Sequence, residues 1–367
     1  ALRRGQEAES LSHSIASAIE TLSETGTDAE TVEAILDDVR VVPTFTAHPT
    51  EARRKTVKGI LQRVGDLLAD LDERRVAGGE RAALEARLEA LIESLYTTKH
   101  IRERKPEPFD EARNVQWYLD NVLFEEIPRV YDELEAALDE AFEDPPEPGQ
   151  VLEFRSWAGS DADGNPNVTP EVTDRTLERQ RSLVIERYRE RCEDLIGVLS
   201  QDGNRVQDQD HVRTVLSGDN AVERIADTAA DRYPDEPFRQ ATSTILQRLD
   251  RVESVRPGGY DDASALETDL AALRDGLRAN GLDHIAAEFV EPLERQLKTF
   301  GFRLAALDLR DHRQEHTAAV HAALAAEGIE YRGMDEAERV AFLTKAIRQE
   351  SPVIDLEDRE GFEHRIS

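Results

Sequence analysis

Leu84, Leu88, Leu91, Ile92 and Leu95 recur at the three- and four-residue spacing of one helix face, so "RAALEARLEALIESLY" (81–96) predicts an amphipathic scaffold helix. "VYDELEAALDEAF" (130–142) repeats the pattern with Val130, Leu134, Ala137 and Leu138. Most of the chain reads this way. Breakers at "EDPPEPGQ" (143–150), "YPDEP" (233–237) and "VRPGGYDD" (255–262) predict surface loops between helical blocks. Three stretches depart from the pattern and read as short buried strands: "VVPTFTA" (41–47), "LEFRSWAG" (152–159) and "GFRLAALDLR" (301–310). By period alone the last fits a helix equally well. Each runs into polar residues, namely His48, "SDADGNPN" (160–167) and "RDHRQEHT" (310–317). A parallel β/α-barrel builds its active site from polar groups at the ends of several buried strands. The expected fold is therefore mainly α with a β/α-barrel core, to which this chain gives three strands.

Composition narrows the function classes. The 367 residues suffice for two or three domains, or for a large part of one barrel enzyme. A net charge of −31, from 77 acidic against 46 basic residues spread along the chain, argues against nucleic-acid or anionic-membrane partners. Lysines stand only at 55, 58, 99, 105, 298 and 345, and dispersed carboxylates with so few lysines point to a halophilic setting, where screening removes self-repulsion. No stretch approaches the roughly 20 apolar residues that cross a bilayer, and the first residues lack the apolar run of a signal peptide. A cytoplasmic location is expected. Cys192 is the single cysteine, which excludes an internal disulfide and a cysteine-based zinc site.

Candidate chemistry gathers at the three strand ends. His48 leaves the first apolar run beside Arg53, Arg54, Lys55 and Lys58. An imidazole at a core rim suits proton transfer, and neighbouring cations favour its neutral, base-competent form. A local cationic patch in an acidic chain fits an anionic ligand, and it also fits ion pairs on the first turn of a following helix. In the second cluster Asp161, Asp163, Gly164 and Asn165 form a turn or a cation loop; a calcium loop requires a glutamate where Val172 stands. Thr169 and Pro170 predict a helix start. The third cluster supplies Arg310, Arg313 and His316, and an arginine there is able to clamp a phosphate with paired donors or to serve as a surface ion-pair partner. His312 and His316 have metal-ligand spacing on a helix but lack a third ligand.

Together, and in this order, the clusters resemble the phosphoenolpyruvate carboxylase family. "FTAHPTEARRKT" is similar to its TAHPTE-RR block, "SWAGSDADGNPNVTPEVT" to its SW-GGDRDGNP-VT block, and "FGFRLAALDLRDHRQEHT" to its FG-L-RLDIRQES-RHT block. "LYTTKHIRERKPEPFDEAR" (95–113) resembles the intervening TDEIR-RPTP-DEA segment. The resemblance implies a mostly helical enzyme around an eight-stranded barrel, usually a homotetramer, that needs Mg2+ or Mn2+. Bicarbonate attacks the phosphate of phosphoenolpyruvate, giving carboxyphosphate and the pyruvate enolate, and the enolate captures the released CO2 to form oxaloacetate. On matching positions His48 would be the catalytic base, Arg310 would hold the substrate phosphate and Trp157 would wall the pocket near the methylene carbon. Arg54 and Lys55 align with an arginine pair that contributes to a sugar-phosphate effector site in some members.

Departures from the family pattern are Ser160 for a glycine, Ala162 for an arginine that would be a third effector cation, Lys99-His100 for an acidic pair, and Ala306 for an arginine. Family subunits are much longer. On this resemblance residues 1–367 are the N-terminal part of a catalytic domain whose C-terminal half, with the metal-binding carboxylates, the essential lysine and a mobile glycine-rich loop, is absent. The isolated chain is expected to be inactive. Two other readings are a non-catalytic helical regulatory or interaction subunit and a histidine phosphotransfer module. Pro49 and the β-branched run before His48 disfavour the latter.

Overall fold

The structure, a computed structural model, describes residues 14–46, 55–73, 78–99, 107–163 and 165–348. Short polar side chains start the first helices: Ser14 caps α1 (Ile15–Glu24) and Asp28 caps α2 (Ala29–Asp38), each accepting from the backbone N–H three residues on. Ile19, Val32 and Leu36 carry these helices into the core. After β1 (Thr44–Phe45) come α3 (Lys55–Glu73) and α4 (Gly79–Thr97), which pack on each other. The apolar face expected on α4 is a scaffold face only in part. Leu84, Leu88, Leu91 and Leu95 are half-buried, Ile92 is exposed, and no residue of α4 is fully buried.

Next, α5 (Pro108–Tyr118) starts with proline and a Glu107/Asp110 capping box, then runs through a π turn (Leu119–Leu123) into α6 (Phe124–Ala141). Pro128 lies inside α6 and has no N–H for the Phe124 carbonyl four residues back. That carbonyl instead accepts a 2.7 Å hydrogen bond from Gln296 Nε2, so a side chain far along the sequence replaces the missing helical bond. The face expected at 130–142 is present, with Tyr131, Leu134, Ala137 and Leu138 buried and Val130 half-buried.

After β2 (Arg155–Ser156), α7 (Pro170–Val198) begins where Thr169 and Pro170 predict, although the Thr169 hydroxyl makes no capping bond. Thr176, Gln180, Val184, Tyr188, Cys192 and Leu195 form its buried stripe, which puts α7 at the centre of the core. Burial, aided by Glu193, pushes the Cys192 thiol up to about 12. Next come α8 (Asp210–Leu216), α9 (Asn220–Arg232), α10 (Pro237–Leu249) and α11 (Ala263–Ala279), of which α10 packs on α7. They are followed by the one-turn α12 (Asp283–Ile285), a second π turn (Ala286–Val290) and α13 (Glu291–Phe300). The three loops expected at 143–150, 233–237 and 255–262 lie at helix boundaries. Finally β3 (Ala306–Leu307) leads to α14 (Arg313–Ala326) and α15 (Glu336–Ile347).

The three strands expected from the sequence form one parallel sheet in the order β1-β2-β3. Thr44 pairs with Arg155 and Arg155 with Ala306, while bridges Val41 to Leu152 and Asp161 to Arg310 extend the pairing at either end. Within 301–310 only Ala306–Leu307 is a strand. Gly301, at φ 53°, ends α13, and the chain turns before entering the sheet. A ring stack joins this sheet to the helices: Phe154 stacks on Phe300 at 5.5 Å, and Phe300 on Phe124 at 5.6 Å. Among the described residues no helix is long and apolar enough to cross a membrane.

Candidate active site at the strand ends

Parallel strands that start together also end together, and here the shared end holds chemistry. The backbone stitching runs from strand to loop: Trp157 N donates to Phe45 O at 2.8 Å, Asp308 N to Ser156 O at 3.0 Å, and Ala162 N to Arg310 O at 2.7 Å. Gly159 makes the turn possible. Its φ of 90° suits glycine, and a Cβ there would lie 2.5 Å from Thr176 Oγ1. Its carbonyl accepts from Thr173 Oγ1 at 2.8 Å, which ties the turn to the first turn of α7. Ser160, where the family pattern has glycine, turns its hydroxyl to the Asp308 carbonyl at 3.0 Å.

Side chains from β2 and β3 then meet. The Arg310 guanidinium carbon lies 4.0 Å from the centre of the Trp157 ring, a cation–π stack that covers one face of the cation. Arg310 Nη1 faces Asp161 Oδ2 at 3.4 Å, a long contact for an ion pair. Trp157 Nε1 donates to Asp308 Oδ2 at 3.1 Å, and the other oxygen of Asp308 faces Arg155 Nη1 at 3.5 Å. The Arg310 side chain is 40% exposed, so it is within reach of solvent. Among the described residues it meets that single acceptor. A planar fork held flat by a ring, with one weakly held carboxylate at its edge, is suited to exchange that carboxylate for a phosphate.

The structure thus brings Trp157 and Arg310 together and adds Asp161. His48 and Arg54 lie outside the described residues. Lys55 opens α3, and β1 ends at Phe45. His312 caps α14, its Nδ1 accepting from Gln314 N at 3.4 Å, and His316 is exposed one turn on. Among the described residues no group of three or more His, Cys, Asp or Glu side chains is placed to hold a metal ion, so they do not fit the Mg2+ or Mn2+ that the family implies. A cavity of about 490 Å³ opens at the other end of the strands, lined by Phe154, Lys298, Phe302 and Arg303, and shares no residue with the Trp157–Arg310 cluster.

Arg155 and Asp308 join the candidate site although the sequence alone assigns them no role, and Ser160 stands out there only as a departure from the family pattern. Strand period would have found two of them. Arg155 and Trp157 share one face of β2, and Asp308 and Arg310 share one face of the β3 extension.

A family model described as phosphoenolpyruvate carboxylase matches residues 2–360. The chain belongs to the phosphoenolpyruvate carboxylase family. Relatives named phosphoenolpyruvate carboxylase include one from Roseiflexus castenholzii, 35% identical over 365 residues, covering 93% of this chain and 38% of the relative. Another, from Thermus thermophilus, is 33% identical over 335 residues, covering 91% of this chain and 36% of the relative. A third, from Rhodothermus marinus, is 32% identical over 351 residues, covering 93% and 37%. The chain therefore spans less than two fifths of the length of these curated relatives.

Proposed function

We propose that these residues are the N-terminal part of a phosphoenolpyruvate carboxylase catalytic domain and contribute the phosphate-capturing side of its active site. The observation that carries the reading is the partly exposed Arg310 guanidinium stacked on Trp157 at the ends of parallel strands, with a weakly held carboxylate beside it. In this reading Arg310 takes the phosphate of phosphoenolpyruvate in place of Asp161. Trp157 presents its apolar ring beside the bound substrate and keeps water from the methylene carbon, where a stray proton would quench the enolate before it reached CO2. His48, following β1, acts as the base for the carboxyphosphate proton. Arg54 and Lys55 add positive potential for an anionic substrate or effector. Bicarbonate is the second substrate, and the three strands are part of a larger barrel. The dispersed acidic surface suits work at high salt.

These 367 residues alone hold phosphoenolpyruvate weakly and do not carboxylate it. The divalent metal, when bound, supplies the positive charge that stabilises the enolate oxygen, and the described residues offer it no ligand cluster. The test couples oxaloacetate to malate dehydrogenase at high salt with manganese or magnesium. The expected result is no turnover by the pure, monodisperse chain. Metal-dependent turnover would overturn this placement of the chemistry.

A further inference from the structure

We infer that Asp308 is the positioning residue of this site: its carboxylate holds the Trp157 indole as a shelf on which Arg310 lies flat, ready for the anion. The assignment rests on the reading of Arg310 as the phosphate holder. One oxygen of Asp308 accepts from Trp157 Nε1 at 3.1 Å, and the other faces Arg155 Nη1 at 3.5 Å, a looser ion pair that Arg155 shares with Glu153. Its backbone is fixed as well, with the N–H on Ser156 O at 3.0 Å and the carbonyl under Ser160 Oγ at 3.0 Å. The residue is thus anchored by its backbone bonds and its side chain by the bond to the indole, whereas the side chains it serves are long or pivoting.

An indole without a partner at Nε1 turns about two side-chain torsions, and a guanidinium stacked on it turns with it. With the ring fixed, Arg310 has one face occupied and its edge donors lie in a single plane, the geometry a phosphate recognises with paired bonds. Asp161 holds that edge only at 3.4 Å. Asp308 and Asp161 therefore have opposite duties. The first fixes the ring beneath the cation, and the second is the contact that an incoming phosphate replaces. Arg155 supports the anchor, since its charge keeps the Asp308 carboxylate turned along the strand face.

Trp117 and Trp157 are the two tryptophans of the chain, so Trp117→Phe leaves Trp157 as its single indole reporter. In that background Asp308→Ala should move the Trp157 Nε1–H resonance, speed its exchange with solvent and raise acrylamide quenching of its emission. Asp308→Asn keeps a carbonyl acceptor and should restore most of this signature. Quenching measured for Asp308→Ala, Arg310→Ala and the double variant should be non-additive, because the cation and the carboxylate act through the same ring. Phosphoenolpyruvate affinity, read from the same emission, should fall about tenfold in Asp308→Ala and much less in Asp308→Asn, the loss expected for one hydrogen bond. A fold-wide structural role would lower the urea midpoint of both variants and leave the indole signature of the folded protein in place. An unchanged signature in Asp308→Ala, an additive cycle, or a freed indole with undiminished affinity would each overturn the assignment. A parent that takes up no phosphoenolpyruvate would refute the functional reading instead, while the ligand-free cycle would still decide whether Asp308 positions the pair.

Discussion

Gly159 and Asp308 show how little freedom the strand ends leave to single residues. Gly159 sits at φ 90° with its missing Cβ aimed at Thr176 Oγ1, and Thr176 is buried on the central stripe of α7. Gly159→Ala therefore meets both a left-handed backbone and a side chain that has nowhere to move. A destabilisation of about 2–4 kcal/mol is expected, measured by urea unfolding, together with a change in Trp157 emission because the turn starts next to that ring. A stable Gly159→Ala with unaltered emission would show that the turn tolerates another conformation. Trp157 and Arg310 stand out in the sequence because their neighbours match a family pattern, and the fold stacks the two side chains, while His48 lies outside the described residues. Asp308 stands in the same matching block, two residues before Arg310, but nothing in the sequence places its carboxylate against the Trp157 indole.

The elements were legible in outline because apolar spacing records which face is buried. The stretches 41–47, 152–159 and 301–310 read as strands, and each contributes a two-residue strand to one parallel sheet. The pattern overran at 301–305 because Leu304 and Ala305 are buried by the approach to the sheet without pairing in it. It overran again on α4, where regular leucines face mainly α3 and stay half-buried. The bond from Gln296 to the Phe124 carbonyl joins residues 172 positions apart, and periodicity carries no trace of it. Gln296→Leu should cost about 1–3 kcal/mol in urea unfolding, because it removes a buried hydrogen bond to the carbonyl that Pro128 cannot serve. Helix starts give a pH signature. Asp28, Asp219 and Asp262 cap α2, α9 and α11, and hydrogen bonds from their first turns hold each carboxyl below 3.8. A lowered folded value means that this stability is present above 3.8 and is lost as pH falls through the lowered values. The urea midpoint should drop over that acid range, and Asp219→Ala with Asp262→Ala should make the drop shallower. An identical acid limb would count against the caps.

At the scale of the whole molecule, an acidic surface is combined with a small cationic and aromatic focus at one end of a sheet. The net charge of −31 repels anions, so capture of a phosphate has to come from local geometry, and salt that screens the long-range field leaves a stacked, paired contact comparatively intact. Family membership could be read from the order of four motif blocks, whereas of the expected barrel core the described residues form a three-stranded parallel sheet. The most direct measurement is equilibrium binding of phosphoenolpyruvate to the 367-residue chain at high salt, compared with Arg310→Gln, with circular dichroism to verify that both are folded. The account predicts weak, saturable uptake by the parent and a loss of roughly tenfold or more in Arg310→Gln, because an amide cannot supply the charged fork. Equal uptake by the two folded proteins would contradict it.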